Sequence, residues 1–302
     1  MSIATASKPA NVEAMPAKAM PAEAMPAEAM PQVPFGPHRI SRLIAGANCI
    51  NGGSHLSRFV SQQMKRYFTE ERILEHLRQC EAHGINTWQS GPPDWDRYER
   101  HRGEGGKMHF ISLVWDDPKK PDIMKRAVAA GSIAAAHHGE FTDRAFKSGE
   151  IEKVREYMKG ARDAGLLVGV STHIPAVVDY IESKGWDIDF YMTCVYERHR
   201  TREELKALLG CVPIPLKEVY LEEDPARMFK AVRQTPKTCL AFKILAAGRL
   251  CDRPELVEKA FESTFRQIKP SDAVIVGMYP EYEDQVAINA RLVRRFSPLS
   301  GQ

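Results

Sequence analysis

Short apolar runs alternate with longer amphipathic stretches along most of this chain. From residue 39 onward, eight apolar runs of strand length recur at 41–47, 85–88, 108–114, 133–137, 166–170, 190–195, 239–244 and 273–277. Short apolar runs bounded by turn residues are typical of strands that are buried on both faces of a parallel sheet. The pattern therefore predicts eight parallel strands.

Stretches with a helical spacing of apolar residues fill the gaps between these runs. They cover 70–83, 95–102, 121–130, 149–164, 175–183, 225–234, 254–268 and 281–296, and several of them begin with proline. Proline is favoured in the first turn of a helix. Eight strand–helix units over about 260 residues predict a (β/α)8 TIM barrel, with a doubly wound open sheet as the alternative.

A barrel gathers the loops that follow its strands at one face. We call this face the mouth, and we expect the functional site there. The residues that would meet at the mouth are far apart in sequence: Asn48, Gln89, His137, His173, Glu197, Lys243 and Tyr279.

Residues 1–34 differ in kind from the rest, because the tripeptide Ala-Met-Pro recurs every five residues between Ala14 and Pro31. Proline at this spacing forbids a continuous helix or strand. We predict a disordered low-complexity tail at 1–34 and a single barrel domain at 35–302. Removing the tail is expected to leave the melting temperature unchanged. Neither a signal sequence nor an apolar run long enough to span a membrane is recognised.

Composition narrows the classes of partner. The chain is 43% hydrophobic and 27% charged, and 42 basic against 39 acidic residues leave a formal charge of +3. This balance favours neither nucleic acid nor a membrane surface, so a small-molecule substrate is expected and the oligomeric state stays open. The six cysteines form no C-x-x-C pair, which indicates reduced thiols in a cytoplasmic protein.

The fourth apolar run, 133–137, leads directly into a group of titratable residues. His137, His138 and Glu140 follow one another there, and His173 follows the next run. Successive residues of a strand point to opposite sides, so only one of the two adjacent histidines can face the mouth, and we expect it to be His137. Neighbouring strands lie about 4.8 Å apart, so His173 should lie close by and share acid–base work with it.

Lys243 interrupts the apolar seventh run. An unpaired ammonium in such a place is costly, and its pKa is expected to be lowered. A lysine of this kind can form a Schiff base. Pairing with Glu222 or Glu223 would explain the residue equally well.

Imidazoles and carboxylates at the mouth would also suit a divalent metal such as zinc or manganese. The candidate ligands are His137, His173 and Glu197, although the chain has no H-E-x-x-H motif. A metal site is therefore an open alternative.

Five phrases of the sequence, in the same order, resemble the aldo-keto reductase superfamily and together span residues 38 to 296. They read HRISRLIAG at 38–46, AHGINTW at 82–88, AGLLVGVS at 164–171, AFKILAAGRL at 241–250, and IVG at 275–277 followed by Asp284, Gln285 and Asn289. The resemblance implies a (β/α)8 barrel and a nicotinamide cofactor. NADP(H) would then be held near Ser171, Lys243, Gly277 and Asn289.

The family's catalytic residues do not carry over in full. Gln89 stands at the position of the catalytic Asp, Asp94 lies near the position of the Tyr acid, and the third strand, ending at 111–114, has no Lys. Only the family's His is matched, by His137 or His138. Because that Lys lowers the pKa of the Tyr acid, ordinary carbonyl reduction is not expected.

The sequence thus predicts a divergent aldo-keto-reductase-like enzyme that acts on a small polar, carbonyl- or sugar-like substrate by His/Glu acid–base chemistry. The alternatives are an NADP-dependent oxidoreductase of the same superfamily, a metal-dependent lyase or isomerase, and a non-catalytic ligand-binding barrel. The candidate catalytic residues are His137, His138, His173, Glu140, Gln89 and Lys243.

Overall fold

The computed structural model describes residues 29–214 and 218–297. The tail predicted at 1–34 lies outside these residues as far as residue 28. The strands are β1 (Gln32–Phe35), β2 (His38–Ser41), β3 (Leu43–Gly46), β4 (Thr87–Ser90), β5 (His109–Val114), β6 (Ala134–His137), β7 (Leu167–Thr172), β8 (Phe190–Cys194), β9 (Thr238–Phe242) and β10 (Ala273–Gly277). The α-helices are α1 (Arg58–Tyr67), α2 (Glu70–Ala82), α3 (Trp95–Gly103), α4 (Ile123–Ala129), α5 (Gly139–Lys147), α6 (Glu152–Asp163), α7 (Pro175–Ser183), α8 (Arg202–Leu209), α9 (Asp224–Gln234), α10 (Pro254–Gln267) and α11 (Gln285–Phe296).

The strands β3 to β10 form a closed parallel barrel in sequence order, and β10 pairs with β3 to complete it. The (β/α)8 prediction is confirmed, and all eight predicted strands are present. The pairing of Val274 with Leu43 and of Gly277 with Gly46 excludes the open-sheet alternative, because an open sheet would leave both of these strands as edges.

The barrel interior is packed with side chains of complementary size. Ala134 and Ala136 of β6 and Met192 of β8 belong to an inner apolar cluster that is separate from the layer between strands and helices. Gly169 of β7 faces Phe190 of β8, and a Cβ at position 169 would clash with the Phe190 ring. The interior is therefore a core, and chemistry is confined to the barrel ends.

A hairpin of β1 and β2 closes the end of the barrel where the strands begin. Val33, Phe35 and Ile40 are buried in the inner cluster, and the Phe35 ring lies 4.9 Å from that of Phe190. This hairpin was not predicted. The boundary placed after residue 34 is wrong, because Met30 and Val33 are 6% and 1% exposed and belong to the folded domain.

Each of the eight predicted helices is present, with shifts at the ends. The last one begins at Gln285 rather than 281, because the Asp284 side chain caps it by accepting a hydrogen bond from the Ala287 amide at 3.0 Å. Three helices, α1, α5 and α8, were not predicted. Among the described residues, no helix has the length and apolar character needed to cross a membrane.

Candidate functional site

A buried carboxylate joins two histidines at the mouth. Asp143 of α5 lies with its Oδ2 2.7 Å from Nδ1 of His173, which follows β7, and 3.0 Å from Nδ1 of His199, which follows β8. The two imidazole centroids are 4.4 Å apart. We call these three residues the Asp–His–His cluster.

Local structure fixes the Asp143 carboxylate from several directions. Its Oδ1 accepts a hydrogen bond from the Thr172 hydroxyl at 2.6 Å, and the His173 amide donates to both oxygens at 3.2 Å. Gly139, at the start of α5, lets this helix come close to β7, because a Cβ there would lie 3.1 Å from the His173 ring. The carboxylate thus holds the end of β7 and both rings in one geometry.

The charges of the cluster follow from these contacts. Burial alone would raise the pKa of Asp143, but the hydrogen bonds from His173, His199 and Thr172 hold that pKa below its ordinary value, so the carboxylate is ionised. Burial lowers the pKa of His173 in spite of Asp143 beside it, so this ring is neutral at pH 7. An ionised carboxylate only accepts hydrogen bonds, so each ring donates to it through Nδ1, and the neutral ring of His173 keeps its Nε2 lone pair free.

His138 directly follows β6 at the mouth, and its proton is on Nε2 rather than on Nδ1. It caps α5, with Nδ1 accepting a hydrogen bond from the Glu140 amide at 3.2 Å. Burial lowers the pKa of His138, and the charge of Lys243 lowers it further. The neutral ring therefore carries its proton on Nε2, for which the described residues supply no partner.

Lys243 follows β9 in a left-handed backbone conformation, with φ at 60°. Its Nζ lies 5.0 Å from the centre of the Phe242 ring, which is 5.5 Å from the ring of His173. Burial lowers the pKa of Lys243, and its charge in turn lowers the pKa of His55, His138 and His173. The amino group is therefore at the mouth, among the imidazoles.

A second carboxylate, Glu218, lies near enough to Lys243 for its charge to act on the amino group. Glu218 accepts hydrogen bonds from His55 at 3.0 Å, Arg198 at 2.6 Å and Tyr220 at 2.9 Å. Burial would raise the pKa of Glu218, but these donors lower it to about 2. His55 and Glu218 also have positive φ, at 57° and 64°, and such strained backbone is common at functional sites.

The prediction that His137 faces the mouth is wrong. Its Nδ1 lies 2.8 Å from the Thr142 hydroxyl on α5, and its ring packs edge-on against Tyr157 of α6. Ala134 and Ala136 point into the barrel, so the strand alternation turns His137 outward and brings His138 to the mouth.

Two predicted acids also lie away from the cluster. Glu140 is exposed on the first turn of α5, with its carboxylate 3.4 Å from Arg144. Glu197 is paired with Arg227 at 2.5 Å and with Arg200. The predicted metal set of His137, His173 and Glu197 is therefore not assembled, and His/Glu catalysis through Glu140 has no geometric support.

The remaining predicted positions are buried or lie elsewhere. Gln89 is 7% exposed and donates to the Ser90 carbonyl at 3.3 Å. Of the predicted nicotinamide positions, Ser171 and Asn289 are each 3% exposed, Gly277 ends β10, and Lys243 alone of the four is a charged group at the mouth. Side chains this enclosed offer little surface to a nucleotide, so this set does not fit NADP(H).

The Asp–His–His cluster has the residue types of a metal site, but the distances between its oxygen and nitrogen atoms do not fit one. One carboxylate oxygen and one ring nitrogen from each histidine all lie within 4.8 Å of one another. Ligand atoms around a tetrahedral zinc ion lie about 3.4 Å apart, whereas Asp143 lies 2.7 Å and 3.0 Å from His173 and His199. Shared protons account for these distances better than a shared ion.

Sequence reasoning missed three residues that the fold brings to the mouth. The candidate residues drawn from the sequence did not include Asp143 or His199. Glu218 was not considered. The available signal for His199 was the capping box of Thr201 and Glu204, which begins α8 and shortens the loop after β8.

Comparisons with known proteins give the fold only. No protein-family model and no curated protein matches the chain. Among solved structures, a phospho-2-dehydro-3-deoxyheptonate aldolase (DAHP synthase) from Thermotoga maritima is 12% identical, with a TM-score of 0.51 over 88% of this chain and 72% of that chain. QR15, an aldolase, is 14% identical, with a TM-score of 0.41 over 70% and 86%.

An N-acetylmannosamine-6-phosphate 2-epimerase from Clostridium perfringens is 10% identical, with a TM-score of 0.46 over 84% of this chain and 92% of that chain. None of these three is an aldo-keto reductase. At 12% identity the likeness to the DAHP synthase concerns the fold alone, and the reaction has to be argued from the site.

Proposed function

We propose that this protein is an enzyme of the lyase or isomerase type that moves a proton at a carbon beside a carbonyl group of a small polar substrate. The observation that carries the proposal is the Asp–His–His cluster, in which one carboxylate presents two imidazoles with free Nε2 atoms. Kinship with the aldo-keto reductases stays a proposal that rests on the five sequence phrases.

The cluster supplies what such a reaction needs. A neutral imidazole with a free Nε2 can accept a proton, and Asp143 stabilises the imidazolium that forms, because it already holds Nδ1–H. His173 and His199 are 4.4 Å apart, so one ring can take a proton and the other can return one to a neighbouring atom. Such a pair suits isomerisation and carbon–carbon bond cleavage.

His138 complements the pair. Its proton is on Nε2, so it can donate a hydrogen bond to the carbonyl oxygen on which negative charge develops when the neighbouring proton is removed. The lowered pKa of His138 keeps its ring neutral, so the ring donates this hydrogen bond without carrying a charge. For the same reason His138 is a weak base, and it does not take the proton that His173 has accepted.

A metal-dependent lyase or isomerase is the second candidate, favoured by the carboxylate oxygen and two imidazole nitrogens that lie within 4.8 Å of one another. A metal there would have to replace both Nδ1 protons and widen the contacts. Elemental analysis of the purified protein, and activity after chelation, separates this candidate from the proton-transfer proposal.

Solvent exchange tests the main proposal directly. The full chain is incubated in deuterated water with short aldoses, ketoses and 2-keto acids, and NMR follows loss of the proton beside the carbonyl. We expect His173→Gln to lower the exchange rate by about 10²-fold or more. His137→Gln is the matched control, because it removes a neighbouring buried histidine that faces the helices. Equal rates in the two variants would refute the assignment.

A further inference from the structure

We propose, resting on the proposed function, that Lys243 is a nucleophile that forms a covalent imine with the substrate carbonyl. Its amino group stands at the end of a barrel strand, near the imidazoles that would move the proton, and forms no salt bridge within residues 29–214 and 218–297. The class of substrate is then a small aldehyde or ketone that accepts a primary amine at its carbonyl carbon.

The backbone directs Lys243 to the mouth. Leu240 and Phe242 point into the barrel, so a continued strand would turn residue 243 toward the helices. The left-handed conformation at Lys243, with φ at 60°, breaks this alternation, and Ala246 and Ala247 follow with φ at 48° and 52°. Such conformations are unfavourable for residues other than glycine, so packing around this turn must impose them.

The amino group has no counterion among the described residues. The two nearby carboxylates are engaged elsewhere: Asp143 with His173 and His199, and Glu218 with His55 and Arg198. The pairing with Glu222 or Glu223 that the sequence left open is not formed.

Burial is the physical reason that such an amine can react. It lowers the pKa of Lys243, and the charge of Arg198 lowers it further, which raises the fraction of neutral amine at pH 7. A desolvated lysine of this kind is an effective nucleophile toward carbonyl carbon. The aromatic face of Phe242 is large and apolar and cannot accept a proton from Nζ.

The proposed steps balance without an added oxidant or reductant. The neutral Nζ of Lys243 adds to the carbonyl carbon, and the oxygen of the resulting carbinolamine takes one proton from solvent and leaves as water, which leaves a protonated imine; this proton returns to solvent when the imine is hydrolysed. His173 or His199 then takes the proton from the adjacent carbon, and the electron pair moves into an enamine. Reprotonation and addition of one water release the carbonyl product and restore the amine.

Borohydride trapping tests the imine on the full chain. Glycolaldehyde, dihydroxyacetone and pyruvate are each added with sodium borohydride, and the protein is then analysed by intact mass and peptide mapping. We expect one adduct, of the mass of the probe less one oxygen atom, on the peptide that contains Lys243. Lys243→Arg and Lys243→Met should lack it, whereas Lys125→Met, which removes a highly exposed lysine, should retain it.

A second readout does not depend on trapping. Imine hydrolysis takes its oxygen from water, so the wild-type protein in H₂¹⁸O should label the carbonyl oxygen of the probe much faster than Lys243→Arg does. Melting curves verify that the variants fold. Absence of an adduct on Lys243 with all three probes, or adducts spread over surface lysines, overturns the proposal. If no adduct forms on Lys243 but the proton beside the carbonyl still exchanges with solvent, the imine proposal fails and the proposed function is retained.

Discussion

Replacing Asp143 by asparagine changes one atom of the cluster and should reverse the proton positions of both rings. The carboxylate accepts Nδ1–H from His173 and from His199. An asparagine NH₂ in place of Oδ2 is a donor, so each ring must turn its lone pair to it and carry its proton on Nε2 instead. The free Nε2 lone pairs, on which the proposed chemistry depends, are then lost.

The expected cost in stability is much smaller than the cost in activity. The remaining amide oxygen can still accept from the Thr172 hydroxyl and the His173 amide, while the two charge-assisted bonds to the rings become ordinary ones. Hydrogen bonds to a charged group are worth about 1.5–3 kcal/mol and neutral ones about 1 kcal/mol, so the loss over the two bonds should lower the free energy of unfolding by about 1–4 kcal/mol. Proton exchange should slow by about 10³- to 10⁴-fold, because the wrong tautomer faces the substrate.

Nitrogen-15 NMR of the imidazoles reads the tautomers without any substrate. In the wild-type protein at pH 7, His173 should carry its proton on Nδ1 and His138 on Nε2; in Asp143→Asn, His173 should switch to Nε2. Asp272→Asn is the matched control, since Asp272 is also fully buried but accepts from the Cys239 and Lys269 amides at the opposite end of the barrel. A wild-type His173 with its proton on Nε2 would refute the reasoning.

Two further predictions concern stability. Burial lowers the pKa of His137 to about 3, so the unfolded chain binds more protons below pH 6.5. This group alone should lower the free energy of unfolding by about 2 kcal/mol between pH 7 and pH 5. Urea titrations at the two pH values should give a smaller difference for His137→Gln, and an unchanged difference would contradict the assigned burial. A chain that starts at Phe35 should be about 3–6 kcal/mol less stable than one that starts at Ala29, because it lacks the buried Met30 and Val33; equal melting temperatures would argue against their packing.

The barrel could be predicted because its strands are buried on both faces. Such strands are continuous apolar runs, and the run at 273–277 matches β10 at both ends. The hairpin was missed because β1 and β2 contain Pro34, His38 and Arg39, which break the apolar pattern. It forms because Phe35 and Ile40 find apolar partners inside the barrel, a tertiary contact that a local pattern does not contain.

The orientation of His137 and His138, at the end of β6, could not be predicted from the sequence, and the reason is the preceding run of alanines. The preceding residues Ala134, Ala135 and Ala136 are identical, so the run has no contrast between an inner and an outer face. Asp143 was missed because its reach to the end of β7 depends on how closely α5 packs there, which Gly139 permits. The sequence could therefore locate the mouth, but the partners of each ring depend on helix–strand packing.

The charges at the mouth distinguish Lys243, the residue proposed to react, from its neighbours. Asp143 is compensated by hydrogen bonds from the rings of His173 and His199, and Glu218 is balanced by Arg198. Lys243, among the described residues, has no such compensation, and its backbone is strained as well. Both features cost stability, so the well-packed interior and the hairpin that seals its base must offset them. Burial lowers the pKa of this amine and so favours its neutral form, which can add to a carbonyl carbon. The strain is therefore expected at the residue that reacts and not at the rings that only move protons.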